Sequence, residues 1–174
     1  FIRPWAVEQG NARETLQNNG LGTPIGYTGM TWSGFRPSDD ACEYHYLIPA
    51  NCFAAVILGE LAAIAREAWQ DEAFALEALR VRREIVQGIE AYGIVHHPRF
   101  GRIYAYEADG LGHFRLMDDA NVPSLLSLPY LGYLPPEDPV YQNTRAWLLS
   151  EENPCYFQGK AACGVGSEHT AAGY

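Results

Sequence analysis

Residues 71–92, DEAFALEALRVRREIVQGIEAY, are the most regular stretch of this 174-residue chain. Apolar side chains recur there every three or four residues, and charged side chains lie opposite them, as in an amphipathic helix. Gly93 follows directly and is a typical helix stop. The sequence therefore predicts a helix over residues 71–92 with one stripe in a core, namely Leu76, Leu79, Val81, Ile85, Val86, Ile89 and Tyr92.

The segments around this stretch predict a chain that is mainly helical. Pro49 suits the first turn of a helix that continues to about Trp69. Long polar loops that join antiparallel helices are typical of an α/α toroid, whereas a simple bundle uses shorter connections. The other predicted elements are a mostly irregular arm over residues 1–36, a hairpin of residues 103–106 with 114–117, and helices over 121–132 and 139–149.

The bulk composition excludes several classes of protein. The formal net charge is −9, and the eleven arginines and one lysine are scattered, so the chain is not expected to bind nucleic acid. The longest apolar run, residues 53–65, is interrupted by Glu60, and we expect it to be too short to span a membrane. Four cysteines without a CxxC pair are expected to be mostly buried thiols.

The segment Ser38-Asp39-Asp40 carries the first candidate catalytic group. Asp40, followed three residues later by Glu43, resembles a helix capping box, which would keep the Asp40 carboxylate ionised. Its neighbour Asp39 would then be the freer carboxyl and the better general acid, because a nearby negative charge favours the protonated form. We therefore predict Asp39 as the acid and Asp40 as the alternative. A simple helix cap without catalysis is also compatible with this segment.

A second acidic pair, Asp118 and Asp119, precedes Asn121 and the dipeptide Val122-Pro123. Capping of a helix is again the competing interpretation. Histidines such as His45 and His169 could in principle bind a metal, but no HxH, HExxH or CxxC spacing accompanies them. The sequence therefore predicts neither a metal site nor a cofactor.

Four quoted strings resemble glycoside hydrolase family 125, whose members are exo-acting α-1,6-mannosidases. They are GMTWSGFRPSDDAC (29–42), EYHYLIPANCF (43–53), MDDANVPSLLSLPYLGY (117–133) and NPCYFQGKAACGVGSEHT (153–170). The match covers nearly the whole chain in order. The resemblance implies an all-α fold that is part of an (α/α)6 barrel, with the small β-hairpin as an insertion. It also implies metal-independent hydrolysis with inversion at the anomeric carbon, which releases single mannose units from non-reducing ends.

The same resemblance implies roles for particular residues. The family's general acid falls in the Ser38-Asp39-Asp40 segment. An α-1,6-linked mannoside is the implied substrate, and the candidates for contacts with its terminal mannose are Arg36, Asp118, Asp119, Asn121 and His169.

Family members are more than twice as long, so we expect residues 1–174 to be one incomplete (α/α)6 glycosidase domain that lacks N-terminal and C-terminal portions. The general base would lie outside this chain, and the isolated polypeptide is expected to be inactive and poorly soluble. Two alternatives stay open, namely another α/α-toroid glycosidase or lyase and a noncatalytic glycan-binding fragment. A cytoplasmic location is the expectation from the resemblance.

Overall fold

The computed structural model describes residues 15–169 of the chain. This part contains four helices and seven short strands, joined by turns and loops. The helices are α1 (Gln17–Gly20), α2 (Ile48–Ile64), which continues as a π-helical turn (Ala65–Trp69), α3 (Glu72–Tyr92) and α4 (Pro139–Leu148). The strands are β1 (Tyr46–Leu47), β2 (Ile94–His97), β3 (Gly101–Tyr104), β4 (Glu107–Ala108), β5 (Phe114–Arg115), β6 (Tyr156–Gln158) and β7 (Cys163–Val165).

Helices α2 and α3 pack against each other and form the helical half of the structure. Pro49 lies in the first turn of α2, where its missing N–H costs nothing. The Asp71 side chain caps α3 by accepting the N–H of Phe74 at 2.9 Å. Both predicted helices, residues 49–69 and 71–92, are thereby confirmed, as is the helix from residue 139.

The core side of α3 differs in part from the predicted stripe. Ile85 and Ile89 are buried as expected, but Leu76 is 56% exposed and Tyr92 is 42% exposed. Where the end of α2 packs against the start of α3, the two helices meet through small side chains instead. These form a cluster of Ala62, Ala65, Ala75 and Ala78. Large apolar side chains are exposed on the outer faces of this helical half, namely Phe53, Ile57, Ile64, Trp69, Phe74 and Leu76.

Helix α2 and its π-helical turn form a 22-residue apolar helix, Ile48–Trp69. By length and composition it could cross a bilayer, so the expectation that this run is too short is wrong. Ile48, Cys52 and Ala55 are completely buried in the main core. Across the most apolar part of the helix, however, only 39% is buried, so the core covers only part of its apolar surface.

Three small antiparallel sheets form the other half of the structure. Strand β4 lies between β1 and β5, with Glu107 opposite Leu47 on one side and Arg115 on the other. Strands β2 and β3 form a hairpin, and β6 and β7 form another. The predicted hairpin of residues 103–106 with 114–117 contains strands, but their partners differ from the prediction. Residues 101–104 pair with 94–97, and residues 107–108 pair with 114–115.

The helix start predicted by the capping box at Asp40 and the helix predicted over residues 121–132 are both wrong. Residues 40–45 form no helix, because the N–H groups of Glu43 and Tyr44 donate to the Glu107 carboxylate instead. Residues 121–132 form turns, since the Asp118 carboxylate accepts the N–H groups of Leu125 and Leu126. Such side-chain bonds to the backbone compete with helix formation. The chain is therefore a helical structure with small antiparallel sheets, and the all-α prediction is not confirmed.

Candidate active site

The segment between Gly34 and Cys42 forms a tight loop over the core, which we call the motif loop (residues 34–42). Its ends are joined by the N–H of Cys42, which donates to Gly34 O at 2.9 Å, and by the bridge between Phe35 and Ala41. At its tip the N–H of Arg36 donates to Asp40 O at 2.8 Å. Tertiary contacts, not a helix cap, hold Asp40 in place.

The two neighbouring carboxyls of the motif loop have different surroundings. Asp39 is exposed, and its backbone has a φ of +70°. Asp40 is 2% exposed, and its Oδ2 accepts from Ser38 Oγ at 2.8 Å and lies 2.9 Å from His169 Nε2. The other oxygen, Asp40 Oδ1, is buried and has no hydrogen-bond partner among residues 15–169. One oxygen is thus fixed, and the other is left without a partner among these residues.

A buried ion pair lies directly beneath the motif loop. Arg36 Nε donates to Glu107 Oε1 at 2.6 Å, and both side chains are at most 3% exposed. Burial alone would lower the pKa of Arg36, but Glu107 and Glu168 outweigh it and keep that pKa above its ordinary value. The second oxygen of Glu107 accepts the N–H groups of Glu43 and Tyr44 at 3.0 Å each. Glu107 therefore ties the motif loop to strand β4.

The charges continue from this pair towards the surface. Glu168 Oε2 accepts from Arg36 at 2.9 Å, and Glu168 Oε1 accepts from Arg115 at 2.8 Å. Arg115 also donates to Glu43 Oε2 at 2.8 Å. Because β4 and β5 are paired, Glu107 and Arg115 are cross-strand neighbours, and the sheet register brings the two halves of this network together.

A cavity of about 240 Å³ opens between these groups. It is lined mainly by polar and charged side chains, namely Thr15, Gln17, Arg36, Asp40, Ala41, Cys42, Glu43, Arg115 and Glu168. A pocket rich in hydroxyl-matching donors and acceptors suits a polyhydroxylated ligand better than an apolar one.

The second acidic pair is completely buried. Asp118 accepts the N–H groups of Leu125 and Leu126 at 2.8 and 3.0 Å, and burial raises its pKa to about 7 against the opposite effect of these donors. Asp119 Oδ1 accepts from the backbone and side-chain nitrogens of Asn121, while Asp119 Oδ2 has no partner among the described residues. Both oxygens of Asp118 are thus bonded to the backbone, whereas one oxygen of Asp119 is unpaired among these residues.

Tyr106 lies near Arg36 of the motif loop and within the electrostatic reach of Asp118 and Asp119. The Arg36 guanidinium lies 5.8 Å from the centre of its ring. Burial raises the pKa of Tyr106 far above its ordinary value, and Asp118 and Asp119 add to that effect, so the hydroxyl remains a donor. This hydroxyl is also buried without a partner among residues 15–169. The two predicted segments therefore meet around one tyrosine.

The loop 166–169 completes the arrangement. Ala120 donates its N–H to Gly166 O at 3.0 Å. Gly166 lies two residues before Glu168 and three residues before His169. His169 is half-exposed and contacts Asp40, as described above. All the site residues predicted from the sequence thus belong to one connected region of the fold.

Comparison with known proteins identifies the family of the chain. A family model described as metal-independent α-mannosidase, glycoside hydrolase family 125, matches residues 4–174. The chain belongs to this family. It is 49% identical over 158 residues to the Meiotically up-regulated gene 157 protein of Schizosaccharomyces pombe. It is also 48% identical, with a TM-score of 0.89, to a metal-independent α-mannosidase from Streptococcus pneumoniae, solved in a non-productive complex with α-1,6-mannobiose.

The chain spans about a third of the length of these relatives. The match covers 90% of this chain and 31% of the S. pombe protein, and 92% of this chain and 38% of the S. pneumoniae chain. Within residues 15–169 of this family 125 chain, no group of three or more His, Cys, Asp or Glu side chains could hold a metal ion. His45 is instead a buried structural residue, whose Nε2 accepts the N–H of Thr23 at 2.9 Å and whose Nδ1 lies 3.0 Å from Ser33 O.

Several residues of this charged region were missed from the sequence. They are Glu43, Tyr106, Glu107, Arg115 and Glu168. Glu43 was assigned to a helix cap, and Glu107 lies one residue beyond the predicted strand. A correct pairing of β4 with β5 would have placed Glu107 opposite Arg115 and indicated that their charges belong to one region.

Proposed function

We propose that this protein is an inverting exo-α-mannosidase that releases mannose from the non-reducing ends of α-1,6-linked mannosides. Membership of family 125 supports mannoside hydrolysis, and the α-1,6-mannobiose complex of the S. pneumoniae relative supports the linkage. The single observation that carries the proposal is Asp40, a buried carboxyl that lines the cavity and has one unpaired oxygen among the described residues.

Asp40 is the general acid in this proposal, and Asp39 is the alternative. The preference for Asp39 rested on a helix cap at Asp40, and residues 40–45 form no helix. Ser38 and His169 hold Asp40 Oδ2, so Asp40 Oδ1 is the oxygen that would give its proton to the glycosidic oxygen. Such proton transfer contributes about a hundredfold to ten-thousandfold to the rate.

Inversion requires a second carboxylate on the opposite face of the sugar, roughly 6.5 to 9.5 Å from the acid, with a water between it and the anomeric carbon. We place this general base outside the present 174 residues. Asp118 does not suit the role, since both its oxygens accept backbone N–H groups. Glu43 and Glu168 are each paired with arginines.

The terminal mannose would be recognised by the unpaired buried groups. Asp119 Oδ2 is an acceptor and the Tyr106 hydroxyl is a donor, and buried polar atoms of this kind normally have partners. Sugar hydroxyls would supply both. Arg36, Asp118 and Asn121 would act indirectly in this proposal, because their polar atoms already bond to protein groups.

The test compares Asp40→Asn with Asp39→Asn in the full-length protein, using α-1,6-mannobiose and an aryl α-mannoside. We expect Asp40→Asn to lower kcat on mannobiose at least about a hundredfold, and less on the aryl substrate, whose leaving group needs little protonation. Asp39→Asn should stay within a few-fold of the parent. NMR of the first product should show the β-anomer.

Other results would point elsewhere. If Asp39→Asn abolished turnover and Asp40→Asn did not, Asp39 would be the acid. Faster hydrolysis of aryl glucosides than mannosides would favour another toroid glycosidase. Mannose binding without any turnover would indicate a noncatalytic glycan-binding protein.

A further inference from the structure

We propose that Glu168 determines ligand specificity, because its carboxylate fills a two-arginine anion site and thereby excludes phosphorylated sugars from the cavity. The inference depends on the proposed mannosidase function only for the identity of the sugar. The chemical class that is excluded is a phosphate monoester or a comparable anion, and the class that is accepted is an uncharged glycan end.

The geometry around Glu168 is that of an occupied anion site. Its two oxygens lie 2.9 Å from a nitrogen of Arg36 and 2.8 Å from a nitrogen of Arg115. Two guanidinium groups on different parts of the chain therefore converge on the two oxygens of a single carboxylate. Guanidinium groups bind carboxylate and phosphate oxygens with the same geometry, so a phosphate could take the place of this carboxylate.

The site is reachable from the cavity. The Glu168 side chain is 27% exposed and lines the cavity together with both arginines. Arg36 itself is held from behind by Glu107, and Arg115 is held by Glu43, so neither guanidinium depends on Glu168 alone for its position. Loss of the Glu168 charge would leave both arginines in place with free donors.

The charge balance of the cavity explains the exclusion. Its lining contains the carboxylates Glu43 and Glu168, the guanidiniums of Arg36 and Arg115 that pair with them, and the carboxyl of Asp40. An incoming phosphate would therefore meet a carboxylate already bound to each guanidinium, and like charges in close contact are strongly unfavourable. An uncharged mannose end meets no such penalty.

Neutralising Glu168 tests this inference without reference to turnover. In the full-length protein, Glu168→Gln and Glu168→Ala should bind inorganic phosphate at least about tenfold more tightly than the parent at low ionic strength, since charge-assisted hydrogen bonds are gained. Calorimetric titration measures this directly. The double variant Glu168→Ala with Arg115→Gln should lose the gain, because one of the two arginines is removed.

The matched control is Glu72→Gln. Glu72 is also paired with an arginine, Arg66, through both its oxygens, but this pair is exposed and lies outside the cavity. The substitution changes net charge equally and frees one guanidinium instead of two. No increase in phosphate affinity is expected, so any effect of net charge alone would appear in this variant.

A second measurement needs no variant. The parent protein should bind mannose 6-phosphate at least about tenfold more weakly than mannose. Equal affinity for the two sugars would overturn the inference, as would folded Glu168→Gln and Glu168→Ala variants that bind phosphate no more tightly than Glu72→Gln. If the parent bound neither sugar, the proposed function would fail, and the phosphate titrations of the variants would still decide the role of Glu168.

Discussion

Replacing Glu107 with Gln tests whether the buried ion pair holds the motif loop over the core. Glu107 is fully buried and accepts three hydrogen bonds, one from Arg36 and two from the backbone N–H groups of Glu43 and Tyr44. A glutamine oxygen could keep the two backbone bonds. Its NH2 group would then face the Arg36 guanidinium, so two donors would meet without an acceptor and one buried charge would lose its partner.

The expected cost follows from that loss. Removing one partner of a buried ion pair destabilises a protein by about 3 to 5 kcal/mol. In a domain of this size, such a loss lowers the unfolding midpoint by roughly 10 °C. The double variant Glu107→Gln with Arg36→Met should recover part of the loss, because it removes the uncompensated charge and keeps the two backbone bonds.

Urea denaturation followed by circular dichroism measures the free energy of unfolding of each variant. Glu72→Gln serves as the control, since its partner Arg66 is exposed and surface ion pairs contribute little. The slope of the unfolding free energy against urea should not change. If Glu107→Gln cost no more than Glu72→Gln, the buried pair would not hold the motif loop, and our reasoning would be wrong.

Three further predictions follow from local geometry. Gly88→Ala should destabilise the protein although alanine favours helices, because the added Cβ would lie 2.4 Å from Thr28 O. Gly59→Ala should be tolerated and serves as the control. Thermal melting compares the two variants. The pKa of Asp118 is about 7 in the folded chain and 3.8 in the unfolded chain, so folding favours the protonated form of this carboxyl. The free energy of unfolding should therefore fall by roughly 2 to 3 kcal/mol more between pH 5 and pH 8 than it does in Asp118→Asn. A maleimide should label Cys163, the exposed cysteine, rapidly in the native protein and leave the three buried cysteines unlabelled, as peptide mass spectrometry would show.

The long helices could be predicted from the sequence because their determinants are local. Pro49 at the start of α2, the Asp71 cap and the apolar spacing of α3 all act within a few residues. The strands could not be predicted equally well, since each is only two to four residues long and depends on partners elsewhere in the chain. A two-residue strand such as β4 has no periodicity of its own.

The acidic segments show where local reasoning ends. The Ser38-Asp39-Asp40 and Asp118-Asp119 segments could be selected from composition, and both lie in the site region. The order of preference within the first pair rested on the capping box, which assumed that the N–H groups near Glu43 serve a helix. They serve the Glu107 carboxylate instead, which lies 64 and 63 residues away in sequence.

The same separation explains why the charge network itself was missed. Arg36 is joined to Glu107 across 71 residues and to Glu168 across 132 residues. No spacing rule connects such positions, and only the pairing of β4 with β5 and the return of loop 166–169 bring them together. A sequence can thus show that a segment carries acids and arginines. Which carboxylate binds an arginine and which keeps an unpaired oxygen is decided by the tertiary structure. In the described part of this chain, Glu107 and Glu168 bind arginines, and Asp40 keeps one oxygen unpaired.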